Sequence, residues 1–227
     1  LLRFRKHAIA NTGDIEKMYR QILVHPKDQS LIRILWETDD HKPIEYKMNT
    51  LTYGTASAPY LATRCLVELG RHNTSNFPTA ARCLQEDFYI DDCLTGACTV
   101  KEAIQIRSQL SEIIGKAGMH IRKWASNSNE VLSDIPESDR EIDYPLDISR
   151  DTTLKTLGVK WNPQTDSIQY TVSEVCTIEP ITKRNILSNI AKIFDPLGLL
   201  SPIIIVAKLI MQQLWKLEIG WDEPVPT

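Results

Sequence analysis

Two adjacent carboxylates, Asp91 and Asp92, stand inside the apolar run Phe88-Tyr89-Ile90-Asp91-Asp92-Cys93-Leu94. Like charges in such a setting repel each other and lose hydration. A tight turn holds both near one point, and a divalent cation removes the penalty. Two hard cations about 3.5–4 Å apart, held by oxygen ligands, are the standard device for in-line displacement at phosphorus. Asp-Asp pairs also abound in exposed turns, so the pair alone decides little. A third acid, Asp14, lies in Asp14-Ile15-Glu16-Lys17-Met18-Tyr19 after a short polar turn; a lone Asp there is more often a helix cap than a metal ligand. The small-residue loop Leu51-Thr52-Tyr53-Gly54-Thr55-Ala56-Ser57-Ala58-Pro59 either turns the chain or lets a substrate lie close to the backbone at Gly54.

The elements that must position these residues alternate between two periodicities. Leu31 to Glu37 and Ile44 to Met48 are strand-like runs around a polar turn, which predicts a hairpin. Ser57 to Arg71 places Leu61, Cys65, Leu66 and Leu69 on one helical face. Lys101 to Lys116 predicts an amphipathic helix, with Ala103, Ile106, Leu110, Ile113 and Ile114 inward and its end near Gly118. From Glu130 to Asp147 seven acids oppose only Arg140, and prolines and serines interrupt the stretch, so an exposed linker is expected. Leu154 to Trp161 and Ser167 to Val172 bracket a further turn. Helices follow at about Thr182 to Phe194 and Pro202 to Lys216, the second with Ser201 as N-cap and Pro202 at its first position. This order predicts an α+β fold with an antiparallel sheet.

Composition sets the outer bounds. The 227 residues are 42% hydrophobic and 24% charged, enough for one large domain or two small ones. A net charge of −3 excludes a uniformly basic nucleic-acid glove but leaves room for a local basic surface. The five cysteines form no CxxC pair, and no zinc-ligand spacing joins them to the five histidines, so reduced thiols are expected. Leu197 to Leu214 is apolar but carries Pro202, Lys208, Gln212 and Gln213, which predicts a buried helix rather than a membrane span. The chain opens without Met, so it is expected to be a piece of a longer product.

Taken in order, the Asp-x-x-x-x-Tyr element, the Gly-containing loop with its helix, and Tyr-x-Asp-Asp resemble a reverse transcriptase palm. The wording Asp14-Ile15-Glu16-Lys17-Met18-Tyr19-Arg20-Gln21-Ile22, Tyr89-Ile90-Asp91-Asp92, Arg122-Lys123-Trp124-Ala125-Ser126-Asn127 and Phe194-Asp195-Pro196-Leu197-Gly198-Leu199-Leu200-Ser201-Pro202 is similar to the polymerase of Bel/Pao-type LTR retrotransposons. The resemblance spans nearly the whole chain. It implies a partial palm over 1–128 (antiparallel sheet, helices on one face), an acidic linker over 129–150, and a thumb- or connection-like hairpin with helices over 151–227.

The resemblance further implies two-metal nucleotidyl transfer by an RNA-directed DNA polymerase. Asp14, Asp91 and Asp92 would be catalytic carboxylates holding two Mg²⁺, with Mn²⁺ as substitute and the Ile15 carbonyl as an added ligand. Tyr19 would crowd the sugar 2′ position, or simply pack in the core. Tyr89 would sit beside the primer end, Gly54 near the incoming base, and Lys123 near the leaving pyrophosphate. Leu157-Gly158 resembles the primer grip. The family often has Pro-Phe-Gly or Pro-Gln-Gly where this chain has Thr52-Tyr53-Gly54. Implied partners are a primed RNA or DNA template, deoxynucleotides, and the rest of a polyprotein (fingers, RNase H, integrase), with no membrane. The implied location is intracellular, in a cytoplasmic particle of the element or the nucleus. The family's fingers precede the first Asp, and only thirteen residues do so here, so truncated fingers are expected.

Other readings stay open. The chain reads also as an inactive retroelement remnant that only binds or supports. A Pao-type peptidase segment is a further alternative, although neither Asp-Thr-Gly nor Asp-Ser-Gly occurs. A generic two-metal phosphatase or nuclease would need more ligands near the Asp pair than the sequence supplies.

Overall fold

Strand β1 (Ile9–Ile15) is buried or half-buried along its whole length, polar Asn11 and Thr12 included, the pattern of a strand covered on both sides. In the computed structural model, which describes residues 3–141, 154–156, 159–170, 180–193 and 195–226, it runs through the middle of the first of two units, Leu1–Thr152. A short helix, α1 (Met18–Gln21), follows it. The expected hairpin is present as β2 (Arg33–Glu37) and β3 (Pro43–Lys47), paired Arg33 to Lys47 through Glu37 to Pro43. Both its strands are exposed throughout, including Leu35 and Trp36.

Helix α2 (Ala58–Asn73) is followed by α3 (Pro78–Glu86), which begins on a proline at its first turn. Sequence patterning missed α3 because its buried residues are small: Ala80, Ala81 and Cys83, with Leu84. Gly70 of α2 permits its close packing on α3, since a methyl there would lie 2.6 Å from the Ala81 carbonyl. Strands β4 (Phe88–Tyr89) and β5 (Asp92–Ala97) make a tight hairpin, and α4 (Val100–Lys116) lies across β1, β5 and the next strand, β6 (Ile121–Ser126). Thr99 caps α4 by accepting from the Glu102 N–H. The helix gives way to Gly118 at φ +77°, close to the predicted end. The sheet order is β4-β5-β1-β6, every pairing antiparallel.

The core joins α4 to both sides of this arrangement: Ala103, Ile106, Leu110, Ile113 and Ile114 are all buried, as their spacing predicts. Leu110 is 0% exposed. Its replacement by alanine is expected to cost about 3 kcal/mol, measured as a fall in the urea midpoint at unchanged slope.

The acidic stretch departs from expectation. Helix α5 (Asn129–Leu132) buries Val131 and Leu132, and Ile135 follows at 4% exposed. Arg140 Nε and Nη2 donate to the Ile135 carbonyl at 2.9 and 2.6 Å. Residues 129–141 are thus packed structure rather than an exposed linker: three apolar side chains override a polar composition. Asp143 and Asp147 lie outside the described residues.

The second unit, Thr153–Thr227, has a three-stranded antiparallel sheet, β7 (Leu154–Thr156), β8 (Val159–Asn162) and β9 (Ser167–Gln169). The run 154–161 is two strands instead of one, with Leu154 opposite Trp161. The Leu157-Gly158 primer-grip reading and Cys176 lie outside the described residues. Helices α6 (Lys183–Ala191) and α7 (Ser201–Lys216) complete the unit. Helix α7 begins at Ser201, with Leu200 in the cap position, so Ser201 is not the N-cap; its hydroxyl donates to the Gly198 carbonyl at 2.7 Å. Nor is α7 a buried helix: Met211 and Leu214 are buried, whereas Ile203, Ile205, Val206, Leu209 and Ile210 are exposed. Among the described residues no helix is long and apolar enough to cross a membrane.

Candidate active site

The ladder between β1 and β5 sets Asp14 directly opposite Asp92. Tyr89 pairs with Asp92 at the other edge of β5, leaving Ile90 and Asp91 as a two-residue turn. Ile90 takes φ +59°, a conformation that a β-branched side chain adopts only when its surroundings impose it. The constraint here is its side chain, which packs against the core. The turn then points its peptide back at β1: the Ile15 N–H donates to the Asp91 carbonyl at 3.0 Å. Asp14, Ile15, Asp91 and Asp92 are thereby brought together from two separated segments. Asp14 is a strand residue, not a helix cap.

Strand β6 closes the other side. Its register against β1 shifts between Thr12 and Asp14, beside Gly13, where an added methyl would meet the Trp124 ring at 3.1 Å. Asp14 faces Arg122 across this ladder, and the Lys123 ammonium lies 3.9 Å from Asp14 Oδ2. Arg122 also reaches Glu16 at 3.4 Å.

Crowding shows in the titration of the acids. Burial, then the charges of Asp91 and Asp14, push the Asp92 carboxyl up to about 6, against an opposing pull from Lys123. Burial raises Asp91 as well, reinforced by Asp14 and opposed by its own backbone hydrogen bond and by Lys123. Burial is thus the largest cause at both acids, with neighbouring acidic charge adding to it and Lys123 opposing it.

Of the remaining sequence candidates, Tyr89 adjoins this centre through its pairing with Asp92. Tyr89 is 62% exposed at the hairpin end. Tyr19, on α1, packs partly on the core, as its structural alternative predicts, and also meets the Tyr53 ring at a centroid distance of 4.9 Å. Gly54 has φ +80° with open space where a Cβ would stand, so backbone conformation, not crowding, selects glycine there.

Glu141 was missed, having been grouped with the linker. Its N–H donates to the Trp124 carbonyl at 3.1 Å, alongside a bridge between Trp124 and Arg140. Burial raises its carboxyl, and Lys123, Asp14 and Arg122 all act on it by charge. No local pattern could reveal this, because the contact depends on the chain returning to β6.

Oxygen donors with raised affinity for positive charge suit a hard cation in kind. Among the described residues, however, no three acidic, histidine or cysteine side chains stand close enough together to form a metal shell as they are.

Residues 182–227 match the model of the Pao retrotransposon-like RNaseH-like domain. The match ties this C-terminal stretch to Pao-type retrotransposons and supports reading the chain as a retroelement fragment; on polymerisation itself it is silent. Comparison with curated proteins found no match.

Proposed function

We propose that the first unit is the partial palm of a Bel/Pao-type reverse transcriptase, an RNA-directed DNA polymerase working by two-metal nucleotidyl transfer. The observation that carries this reading is the meeting of Asp14 with Asp91 and Asp92 across antiparallel strands, with Lys123 as a cation beside them. The match of residues 182–227 supports only the coarser part of it, an origin in a Pao-type retrotransposon. The second unit would be the thumb- or connection-like part of the same polyprotein where it leads into the RNaseH-like domain whose model residues 182–227 match.

Asp14, Asp91, Asp92 and the Ile15 carbonyl would hold two Mg²⁺, or Mn²⁺. The ions would supply charge neutralisation for attack of a primer 3′-hydroxyl on the nucleotide α-phosphate. Lys123 places a cation at the same centre, suited to the negative charge that leaves with pyrophosphate. Tyr89 lies beside the primer end, Tyr19 beside the sugar, and Gly54 beside the base. The partners in this reading are a primed template, deoxynucleotides, and the fingers, RNase H and integrase of the polyprotein, within a cytoplasmic particle or the nucleus.

The absence of a ready three-ligand shell among the described residues favours one alternative, an inactive remnant that binds or supports without catalysing. A Mn²⁺ titration run beside primer extension on a primed RNA template separates the two. The polymerase reading expects Mn²⁺ binding at the Asp cluster and metal-dependent extension. Folded protein that does not bind Mn²⁺, and that extends no primer even in a form lengthened upstream to supply the expected fingers, would support the remnant.

A further inference from the structure

Strand β6 does not run in even register with β1. Between the pairs Thr12–Ala125 and Asp14–Arg122, β1 contributes one residue, Gly13, and β6 contributes two, Lys123 and Trp124. This is a β-bulge, a device that re-aims a side chain. Gly13 leaves the room for it, since an added methyl would meet the Trp124 ring at 3.1 Å. Lys123 takes the left-handed conformation at φ +52°, which residues other than glycine adopt only under constraint.

The outcome of that strained geometry is a choice of partner. Arg122, which stands opposite Asp14, reaches Glu16 at 3.4 Å, whereas the bulged Lys123 brings its ammonium to 3.9 Å from Asp14 Oδ2. That separation is too long for a hydrogen bond, so charge alone holds the ammonium there. A second carboxylate stands within its field. The Glu141 N–H is fixed to the Trp124 carbonyl, one residue along from Lys123. Burial raises the Glu141 carboxyl, Lys123 draws it down, and Asp14 adds to the rise. One cation thus serves two acids, only one of which belongs to the cluster of Asp14, Asp91 and Asp92.

We propose that Lys123 is the built-in counter-cation of the metal-free acid cluster, and that Glu141 is a positioning residue that keeps the Lys123 ammonium at the rim once a divalent cation takes its place beside Asp14. The proposal rests on the polymerase reading for the acids that hold the metal. The bulge supplies the poised cation, and the return of residues 140–141 to β6 supplies its second seat.

The test is a Mn²⁺ titration of the whole chain, with free Mn²⁺ read by electron paramagnetic resonance. Lys123→Met tightens binding about tenfold, the scale of removing one charge beside a partly exposed site. Glu141→Gln loosens it about threefold, because the ammonium then returns to Asp14. Glutamine keeps the backbone bond to Trp124, so a purely structural Glu141 would leave the affinity unmoved. In a Lys123→Met background Glu141→Gln has no further effect. An effect of Glu141→Gln that persists without Lys123 overturns the proposal, because Glu141 then acts on the ion by its own charge. An affinity that Lys123→Met leaves unchanged overturns it too, while loss of binding in Asp14→Asn keeps the polymerase reading standing. A folded parent that binds no Mn²⁺ removes the metal site and the proposal together.

Discussion

At neutral pH the Asp91→Asn, Asp92→Asn double variant is expected to melt at a higher temperature than the parent and, on the proposed polymerase reading, to lose metal-dependent primer extension by at least about 10³-fold. Both effects have one origin. Asp92 titrates near 6 in the folded chain, above its ordinary range, so the folded state binds its proton more tightly than the unfolded state does. Stability therefore falls as pH rises from about 4 to about 6, and the deficit persists above that. Asp91 adds in the same direction. Asparagine removes the deficit. The side chains are partly solvated, so screening reduces the gain to about 1 kcal/mol, or roughly 2–4 °C for a chain of this size. The gain disappears near pH 4, where the parent carboxyls are already protonated. Mg²⁺ stabilises the parent at pH 7 and leaves the double variant unmoved. Melting curves at pH 4 and pH 7, with and without Mg²⁺, check each part; a variant less stable than the parent at pH 7 would contradict the charge argument.

Replacing Gly96 with alanine is expected to destabilise the first unit by about 3 kcal/mol. The new methyl would overlap the Ile9 carbonyl oxygen and lie 2.6 Å from His7 Cβ. That carbonyl belongs to β1, where Ile9 pairs with Ala97, so it cannot move aside without opening the ladder that sets Asp14 opposite Asp92. Stability and site are lost together, and nucleotide-independent Mn²⁺ binding should fall with the urea midpoint. Gly115→Ala is the internal control. It lies near the end of α4 with nothing within 4 Å of the added atom, and should stabilise by about 0.5–1 kcal/mol. Equal effects at the two positions would show that helix propensity, rather than the crowded ladder, governs glycine in this unit.

What the sequence made legible were the features written in local periodicity or in rare pairings. Helix α4 could be read from Ala103 to Ile114 because its apolar spacing repeats over about three turns. Asp91-Asp92 stood out because acids are costly in an apolar run. Strand β6 escaped notice: Arg122 and Lys123 interrupt its apolar character, and it is a strand only because β1 lies beside it. Glu141 and Tyr53 escaped for a related reason. Each gains its place through a contact with a segment remote in sequence, Trp124 for one and Tyr19 for the other. The error over 129–141 ran the opposite way, with a count of charges outweighing Val131, Leu132 and Ile135. Burial of a few well-placed apolar groups outweighs the average polarity of the stretch around them.

The central place of β1 has a consequence for how such a chain is made. Within the sheet of the first unit β1 precedes its partners β5 and β6 in the chain, and its β6 side waits for the return of residues as distant as Asn127, which reaches the Ala8 carbonyl across 119 positions. Closing so large a loop is slow, and contacts of this separation form late in folding. During synthesis β1 is therefore an unpaired edge with apolar groups on both sides, open to pairing with neighbouring nascent chains. Yield of folded protein from cells should then depend on temperature and chaperone supply more steeply than the final stability alone would suggest.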